Sequence, residues 1–441
     1  MVLAGAGLAR ASDAGLASRL RGWALPAAAA FFTVATAAYL GDVAHSRAML
    51  SWYDLYVYNH AGLIARSLPG RLYSWQLKPG IKFTYTPFAA LEFAVGSLLP
   101  FAVLRWLMTT ASIIAVTATA WLTLGGLGRR GRDRTGLTLV VAAVALWTDP
   151  VQRALQLGQI ELVLMALIVW DLCQSDRRWW KGAGVGLAAA IKLVPLIFIP
   201  YLVLAGKLRQ ALVVSVAFAV ATVIGFAFLP HASAKYWLTG YFLHAGNVGD
   251  VGSLVNQSLY AMLARAAGSV RAATPVYLGV SVIVAALGLA GAALLHRSGR
   301  PVAGLVTCAL TGLLVSPISW DHHWVWTVPV LALLADAAAR ARGAARWAWL
   351  VLAGGVVSVF GVWPRHWTGP LAFVPHGLLG FFIGPHPQDE KYHLHGLQLV
   401  SWNLFVLAGL VMLAFAAAAA ARAWQSRPGA GGAEPCDLPA L

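Results

Sequence analysis

The chain has 441 residues, 59% of them hydrophobic and only 11% charged, and its mean hydropathy is +0.71. Soluble domains carry roughly a quarter charged residues, so this composition excludes that class and indicates a membrane protein. The apolar runs do not alternate as the strands of a membrane barrel do, which leaves an all-α polytopic membrane protein as the predicted fold class.

The net charge is +16, from 32 Lys and Arg against 16 Asp and Glu. Membrane proteins collect cationic residues in their cytoplasmic loops, so this excess does not predict a nucleic-acid partner. The three cysteines, Cys173, Cys308 and Cys436, form no CxxC pair and no disulfide framework.

The first apolar run, 25–40, follows three arginines in residues 1–23. Such a pattern fits either a cleaved signal peptide or a first membrane helix. We favour an uncleaved helix, because apolar spans continue through the chain and because the topology below requires this one. Residues 1–23 are then a cytoplasmic segment.

Basic clusters recur along the chain at 129–134, 177–181, 207–209, 297–300, 340–346 and 422–427. By the positive-inside rule they lie in the cytoplasm together with the N-terminus. This assignment predicts about 12 membrane helices in a transmembrane domain at 24–420, followed by a disordered cytoplasmic tail at 421–441. The helices are expected at 24–41, 103–124, 136–148, 159–174, 182–191, 192–206, 210–230, 275–296, 301–318, 323–338, 346–362 and 396–420.

Two of these segments, 182–191 and 192–206, are too short to cross comfortably. They meet at Lys192-Leu193-Val194-Pro195, which predicts a helical hairpin that enters from the cytoplasm and bends at Pro195. The apolar stretch 86–100 is expected to form an interfacial helix, since a crossing there would place the 129–134 cluster outside. The outward side then carries loops at 42–102, 149–161, 231–274, 319–323 and 363–395.

The stretch SWYDLYVYNH, 51–60, places one carboxylate among aromatic residues soon after the first span. Asp54 heads a segment that can form a short amphipathic helix on the membrane surface, and capping that helix is the simplest role for it. Its neighbours favour a functional role as well, because aromatic rings can stack on a sugar and cations can hold a phosphate. These neighbours are Tyr53, Tyr56, Tyr58, His60, Lys78, Lys82 and Tyr85.

This combination at a membrane interface suits glycosyl transfer from a lipid-phosphate donor. Asp54 is the predicted general base, which takes the proton from the acceptor hydroxyl as that oxygen attacks the anomeric carbon. Lys82 is predicted to hold the donor phosphate, and no cofactor is predicted. The residues predicted to bind sugar or acceptor here are Tyr56, Tyr58, His60 and Tyr85.

A second polar patch, SPISWDHHWVW at 316–326, lies at the outer end of a predicted span, where charge is costly unless the site is wet or functional. Adjacent histidines rarely share one ion and no HxxxH or HxH spacing is present, so no metal is predicted. Instead, His322 and His323 are predicted to hold the donor phosphate. Trp320 and Asp321 are predicted to contact sugar or acceptor, and a plain interfacial belt of tryptophans is the alternative.

Polar residues at three further places have more than one interpretation. Gln159 and Glu161 in GQIE either bind sugar or acceptor or join helices by hydrogen bonds, and the same holds for Asn256 and Gln257 in NQSLY. Lys192 lies deep if the hairpin forms, where it snorkels, pairs with an acid or faces an anion.

Six motifs together resemble glycosyltransferase family 87, and the resemblance extends over most of the chain: DLYVY, YTPFAAL, GQIE, AAAIKLVPLIF, NQSLY and SPISWDHH. The resemblance implies the GT-C fold, with interfacial helices in the first outer loop, and an inverting transfer of mannose from polyprenyl-phosphate-mannose. The implied acceptor is a phosphatidylinositol mannoside, the implied linkage is α-1,2, and the implied place is the periplasmic face of the inner membrane.

The resemblance also implies a catalytic aspartate near the end of the first span, for which Asp54 fits better than Asp42. It implies phosphate or acceptor contacts for His322 and His323. Glu161 departs from the asparagine that is usual in the family. An inverting reaction needs one base, which agrees with the absence of a second obvious carboxylate.

Rival functions stay open on the sequence. The same fold accommodates an arabinofuranosyltransferase that uses polyprenyl-phosphate-arabinose. A sugar or lipid transporter also lines its path with basic and aromatic residues, but it predicts inverted repeats and paired broken helices, whereas one candidate hairpin is evident. A noncatalytic scaffold would tolerate loss of Asp54 and both histidines. The expected partners are membrane lipids and lipid-linked substrates, and the chain is expected to be a monomer.

Overall fold

The computed structural model describes residues 24–42, 51–78, 81–362, 377–380 and 390–425. These residues are mainly helical, with one antiparallel pair of short strands, β1 (Gln76–Lys78) and β2 (Ile81–Lys82). This architecture agrees with the all-α class predicted from composition. The predicted N-terminal segment, most of the last outer loop and nearly all of the predicted tail lie outside the described residues.

The helices follow one another in chain order with short connections. In the first half they are α1 (Ala24–Asp42), α2 (Tyr53–Ser67), α3 (Pro87–Gly96), α4 (Phe101–Gly126), α5 (Gly131–Ala145), α6 (Asp149–Leu157), α7 (Glu161–Leu172), α8 (Ala183–Ile191), α9 (Phe198–Leu204) and α10 (Leu208–Phe228). They continue as α11 (Pro230–Ser233), α12 (Ala245–Val248), α13 (Leu259–Ala266), α14 (Val270–Arg297), α15 (Pro301–Val315), α16 (Thr327–Arg340), α17 (Gly343–Phe360), α18 (Gly396–Ser401) and α19 (Leu404–Gln425).

Among the described residues, six helices are long and apolar enough to cross a bilayer, namely α1, α4, α10, α14, α17 and α19. The bent pair α6 and α7 adds a seventh if it forms one broken span. Each segment predicted to span overlaps a helix, but several of these helices, such as α5, α8 and α15, are shorter than 18 residues. A total of twelve crossings therefore stays a prediction.

The segment 149–161 differs from the expected short outer loop, because it contains a helix. All nine residues of α6 are buried, and α6 meets α7 at 118°. Pro150 lies in its first turn after Asp149, and Gly158 ends it with φ 68°. A search for long apolar runs passes over α6, since it is short and carries Asp, Arg and Gln side chains.

The predicted hairpin is formed by α8 and α9, whose outer ends meet at one residue. The Asp176 carboxylate lies 2.7 Å from Lys181 Nζ, just before α8, and 2.6 Å from Lys207 Nζ, just after α9. The chain therefore enters and leaves at the same end of the bundle. The break between the helices is at Lys192, which has extended backbone, three residues before the expected Pro195.

The basic clusters meet at that same end of the bundle. Arg129, after α4, and Arg340, at the end of α16, both pair with Asp336, at 2.6 and 2.9 Å. Arg340 also donates to the Leu127 carbonyl at 2.8 Å. Among the described residues the clusters thus share one end, as the positive-inside rule requires.

The first outer loop packs against the hairpin. Thr86 caps α3, since its hydroxyl accepts from the Ala89 N–H at 3.1 Å, and the same hydroxyl donates to the Ala190 carbonyl of α8. At ten residues α3 is about 15 Å long, half of a bilayer core of about 30 Å. That length fits the interfacial helix expected in 86–100 better than a crossing.

Candidate active site

A cavity of about 580 Å³ opens at the end of the bundle opposite the basic clusters. It is lined by α2, β2 and the residues after it, the corner between α6 and α7, the hairpin tip, and parts of 236–249 and 316–323. Its size is typical of a small-molecule site. It gathers the following residues predicted for the site: Asp54, Tyr58, Lys82, Tyr85, Gln159, Trp320, Asp321, His322 and His323.

Asp54 lies in the first turn of α2, with its side chain half-buried in the cavity wall. The N-cap of α2 is Trp52, and the Asp54 carboxylate instead accepts a hydrogen bond from Gln159 Nε2 at 2.6 Å. Helix capping is therefore not the role of this carboxylate. Burial raises the pKa of the Asp54 carboxyl, although the charges of His322 and Lys192 oppose that rise.

Two backbone features bring α2 to the corner between α6 and α7. The Trp52 N–H donates to the Gln156 carbonyl at 3.0 Å, which ties the start of α2 to α6. Gly158 has φ 68°, and a Cβ added there would lie 2.8 Å from Leu55 Cβ. Any other residue at 158 would be strained and would push α2 away, so this glycine is required for the approach.

Gln159 also contacts two predicted sugar-binding tyrosines. Its Oε1 accepts from the Tyr58 hydroxyl at 2.6 Å and from the Tyr85 hydroxyl at 3.1 Å. The two hydroxyl oxygens lie 2.7 Å apart. The acid of the first outer loop and the glutamine of the GQIE motif thus belong to one hydrogen-bond network.

The Asp321-His322-His323 patch begins a 3-10 helix and is buried. Asp321 Oδ2 accepts from Arg153 Nε at 3.1 Å, and its Oδ1 accepts from the His322 backbone N–H at 2.8 Å. His322 Nδ1 lies 3.1 Å from the same Oδ1, so this nitrogen carries the proton in the neutral ring. The Nε2 atom of His322 is buried and has no partner among the described residues, which leaves it to a substrate group in the cavity.

Lys192 at the hairpin tip joins this patch to the GQIE motif. Its Nζ lies 2.9 Å from His323 Nε2 and forms an ion pair with Glu161. Of the interpretations open on the sequence, the structure thus favours pairing with an acid. Lys192 also lines the cavity, so its ammonium group is available to a bound anion.

Glu161, His322 and His323 offer ligand atoms that lie within 4.8 Å of one another, a spacing that allows a metal ion. The Lys192 ammonium, however, already contacts the Glu161 carboxylate and the His323 imidazole. A cation in that position competes with any metal for the same two ligands. This geometry favours the lysine as the local positive charge.

Lys82 contributes a cation from the opposite wall of the cavity. Its Nζ donates to Asn247 Oδ1 at 3.0 Å and lies 5.8 Å from the centre of the Tyr241 ring. The strand β2 and the segment around Asn247 therefore close this side of the cavity together.

The other predicted contacts lie outside the cavity. Tyr56 stacks on Phe101 with ring centres 4.0 Å apart, and His60 stacks on Trp75 at 5.1 Å. These two residues lie on the face of α2 that turns away from Asp54.

Asn256 and Gln257 lie outside the cavity as well, and their amides hold loops together. The Asn256 side chain donates to Val251 and Pro317 carbonyls. The Gln257 side chain donates to the Leu254 and Trp402 carbonyls, and both Asn256 and Gln257 are fully buried. Of the two interpretations of NQSLY, these contacts agree with the joining of segments.

Arg153 was not among the candidates on the sequence, yet it is a central residue of the cavity. It is buried, pairs with Asp321, and donates to Gln156 Oε1 at 2.6 Å. The available signal was its place: an arginine between apolar residues on the outward side contradicts the positive-inside trend and needs a reason.

The chain is similar in sequence to known enzymes. Residues 83–317 match the family model of glycosyltransferase family 87. The chain is 34% identical over 310 residues, 68% of this chain and 70% of the relative, to a polyprenol-phosphate-mannose-dependent alpha-(1-2)-phosphatidylinositol pentamannoside mannosyltransferase of Mycobacterium tuberculosis. No solved structure matches the chain.

Two further relatives carry similar names. A polyprenol-phosphate-mannose-dependent alpha-(1-2)-phosphatidylinositol mannoside mannosyltransferase of Mycobacterium tuberculosis is 30% identical over 369 residues, 78% of this chain and 80% of the relative. A pentamannoside mannosyltransferase of Mycolicibacterium smegmatis is 32% identical over 309 residues, 68% of this chain and 74% of the relative.

Proposed function

Because the chain belongs to glycosyltransferase family 87, we propose that it transfers mannose from polyprenyl-phosphate-mannose to a phosphatidylinositol mannoside and forms an α-1,2 linkage. The relatives' names supply the donor, the acceptor class and the linkage. The cavity supports the proposal, because it combines one carboxylate with cationic and aromatic side chains.

In this proposal Asp54 is the general base. The acceptor hydroxyl loses its proton to Asp54 as its oxygen attacks the anomeric carbon, and the bond from that carbon to the phosphate oxygen breaks with its electron pair leaving on the phosphate. Gln159 donates to Oδ2 of Asp54, so Oδ1 is the oxygen that takes the proton. One displacement of a β-linked donor gives the α product.

Cations around the cavity hold the leaving phosphate and stabilise its developing charge. Lys82, His322 and His323 have this role on the sequence, and the cavity adds two more candidates. Arg153 and Lys192 both line it, and both are close enough to Asp54 for their charges to act on its carboxyl group. An arginine suits the site well, since its planar fork matches phosphate oxygens.

The cavity faces outward in the proposed topology. It lies opposite the basic clusters, and those clusters belong in the cytoplasm. A lipid-linked donor and a glycolipid acceptor then both reach the site from the outer leaflet of the inner membrane.

Replacement of Asp54 by Asn tests the proposal. With purified protein, polyprenyl-phosphate-mannose and a phosphatidylinositol mannoside acceptor, we expect the D54N variant to lose transfer by roughly 100- to 10,000-fold, the usual worth of a general base. Thermal unfolding in detergent should stay near that of the unmodified chain. Asp250 provides a matched control, since it is an exposed aspartate whose recorded partner is Lys391, away from Asp54.

D250N should keep full activity, whereas a fully active D54N would exclude Asp54 as the base. The same assay with polyprenyl-phosphate-arabinose separates the rival donor. Faster transfer of arabinose than of mannose would replace the proposed substrate while leaving the family unchanged.

A further inference from the structure

The side-chain amide of Gln159 has two chemically different ends, and the structure surrounds each end with a different partner. Its oxygen faces the hydroxyls of Tyr58 and Tyr85, at 2.6 and 3.1 Å. Its nitrogen faces Oδ2 of Asp54, at 2.6 Å. Gln159 itself is only 4% exposed, so water cannot easily replace these partners.

A rotated amide would not fit an ionised base. With the two ends exchanged, the carbonyl oxygen of Gln159 would face the Asp54 carboxylate, and two acceptors at hydrogen-bond distance repel each other. Each tyrosine hydroxyl brings one proton that needs an acceptor, and Gln159 Oε1 provides it. The tyrosines therefore fix which end of the amide points at Asp54.

The fold holds both tyrosines in place independently of Gln159. The Tyr58 ring is 2% exposed and stacks on Phe93 with ring centres 4.4 Å apart and nearly parallel planes. The Tyr85 carbonyl accepts from the Tyr73 hydroxyl at 2.9 Å, which anchors the backbone before α3. Asp54 and Tyr58 are four residues apart on α2, so both face the same corner.

We propose that Gln159 is a positioning residue for the general base: Tyr58 and Tyr85 orient its amide, and the amide holds Oδ2 of Asp54 so that Oδ1 faces the acceptor hydroxyl. This inference rests on the proposed function of Asp54 as the base. It gives Gln159 a role in the reaction that does not require contact with sugar.

The proposal predicts a change in the pH dependence of the reaction. Asp54 acts as a base only when ionised, so the rate rises as pH rises through its pKa, and burial places that rise above the ordinary range of an aspartate. A donated hydrogen bond favours the ionised form, so its loss should move the acid limb of kcat/KM to higher pH. The charged and titratable groups that face Asp54 are Tyr58, Tyr85, Arg153, Lys192 and His322.

The experiment measures kcat/KM for polyprenyl-phosphate-mannose against pH in two variants. Gln159→Met keeps the length of the side chain and removes the donor, and we expect kcat to fall roughly 10- to 100-fold with the acid limb moved to higher pH. The double variant Y58F/Y85F keeps Gln159 but removes both hydroxyls that orient it. It should move the acid limb in the same direction, and each single Phe variant should move it less.

Gln152→Met is the matched control, because Gln152 is a buried glutamine of α6 that does not line the cavity. Its acid limb should stay in place. An unmoved acid limb in Y58F/Y85F, with unchanged thermal unfolding, would overturn the positioning role, and Y58F/Y85F decides the question if Q159M fails to fold. A fully active D54N would instead refute the base, so the two failures are distinguishable.

Discussion

The Arg153–Asp321 pair shows how strongly a single contact constrains this cavity. The two side chains are only 3% and 1% exposed, and the atoms that join them lie 3.1 Å apart. Two buried charges are tolerated together because each compensates the other, whereas either one alone carries a large desolvation cost.

This pair leads to a prediction about Arg153. The R153M variant leaves Asp321 buried without its ion-pair partner, and we expect the free energy of unfolding to fall by about 3 to 5 kcal/mol. Thermal unfolding of the purified protein in detergent measures the loss. The double variant R153M/D321N removes both charges and should regain much of the stability.

Activity then separates the two roles of Arg153. If Arg153 also holds the donor phosphate, R153M/D321N stays impaired in transfer although its stability has returned. Full activity in the double variant would limit Arg153 to a structural role, and unchanged stability of R153M alone would contradict the ion-pair argument.

At the scale of residues, the sequence predicted chemistry better than it predicted contacts. Asp54 and the two histidines could be chosen because charged groups at a membrane edge need a reason, and all three line the cavity. Tyr56 and His60 could not be separated from Tyr58 in the same way, since the choice depends on which face of α2 meets α6.

At the scale of elements, the α8–α9 hairpin determines where Lys192 lies. α8 packs closely on α10 at Gly186, where an added Cβ would lie 2.5 Å from the Val214 carbonyl oxygen and 2.6 Å from Ala217 Cβ. Neither neighbour is the flexible end of a side chain, so α8 itself would have to move. The position of the hairpin tip thus depends on a glycine far from the cavity.

We therefore predict that Gly186→Ala impairs both folding and transfer. Overpacking of a tight interface costs about 1 to 3 kcal/mol, and displacement of α8 should also move Lys192 away from Glu161 and His323. Thermal unfolding and transfer activity measure the two effects. Gly354→Ala in α17 is the control, since a Cβ there meets nothing within 4 Å; equal behaviour of the two variants would refute the prediction.

The hairpin and α6 show what elements the sequence could reveal. The hairpin was predictable because two apolar segments too short to cross are joined by a lysine and a proline. α6 was not, because its nine buried residues include Asp, Arg and Gln, whose burial is justified only by partners distant in the chain such as Asp321. A local pattern does not contain those partners.

At the scale of the whole molecule, the charges are divided between the two ends of the bundle. Ion pairs among Arg129, Arg340 and Asp336 lie at one end, and the cavity with Asp54 lies at the other. The sequence predicted this division because the positive-inside rule needs only local counts of Lys and Arg. The number of crossings is harder to predict, since helices such as α5 and α15, with 15 residues each, leave length an ambiguous criterion.

The division predicts which end of the bundle faces out of the cell. Ser67, at the end of α2, and Arg297, at the end of α14, are both exposed and lie on opposite sides in the proposed topology. In a variant without the three native cysteines, S67C and R297C each introduce one thiol for a membrane-impermeant maleimide. In intact spheroplasts we expect S67C to be labelled and R297C to be protected, because the basic end faces the cytoplasm.

Permeabilised cells provide the control, since both thiols should then react to a similar extent. Retained transfer activity in both variants shows that the labelled protein is folded. Labelling of R297C with protection of S67C in intact spheroplasts would invert the topology, and the cavity would then open toward the cytoplasm. Labelling of both in intact spheroplasts would place the two helix ends on the same side and would contradict the division of charge on which the outward site depends.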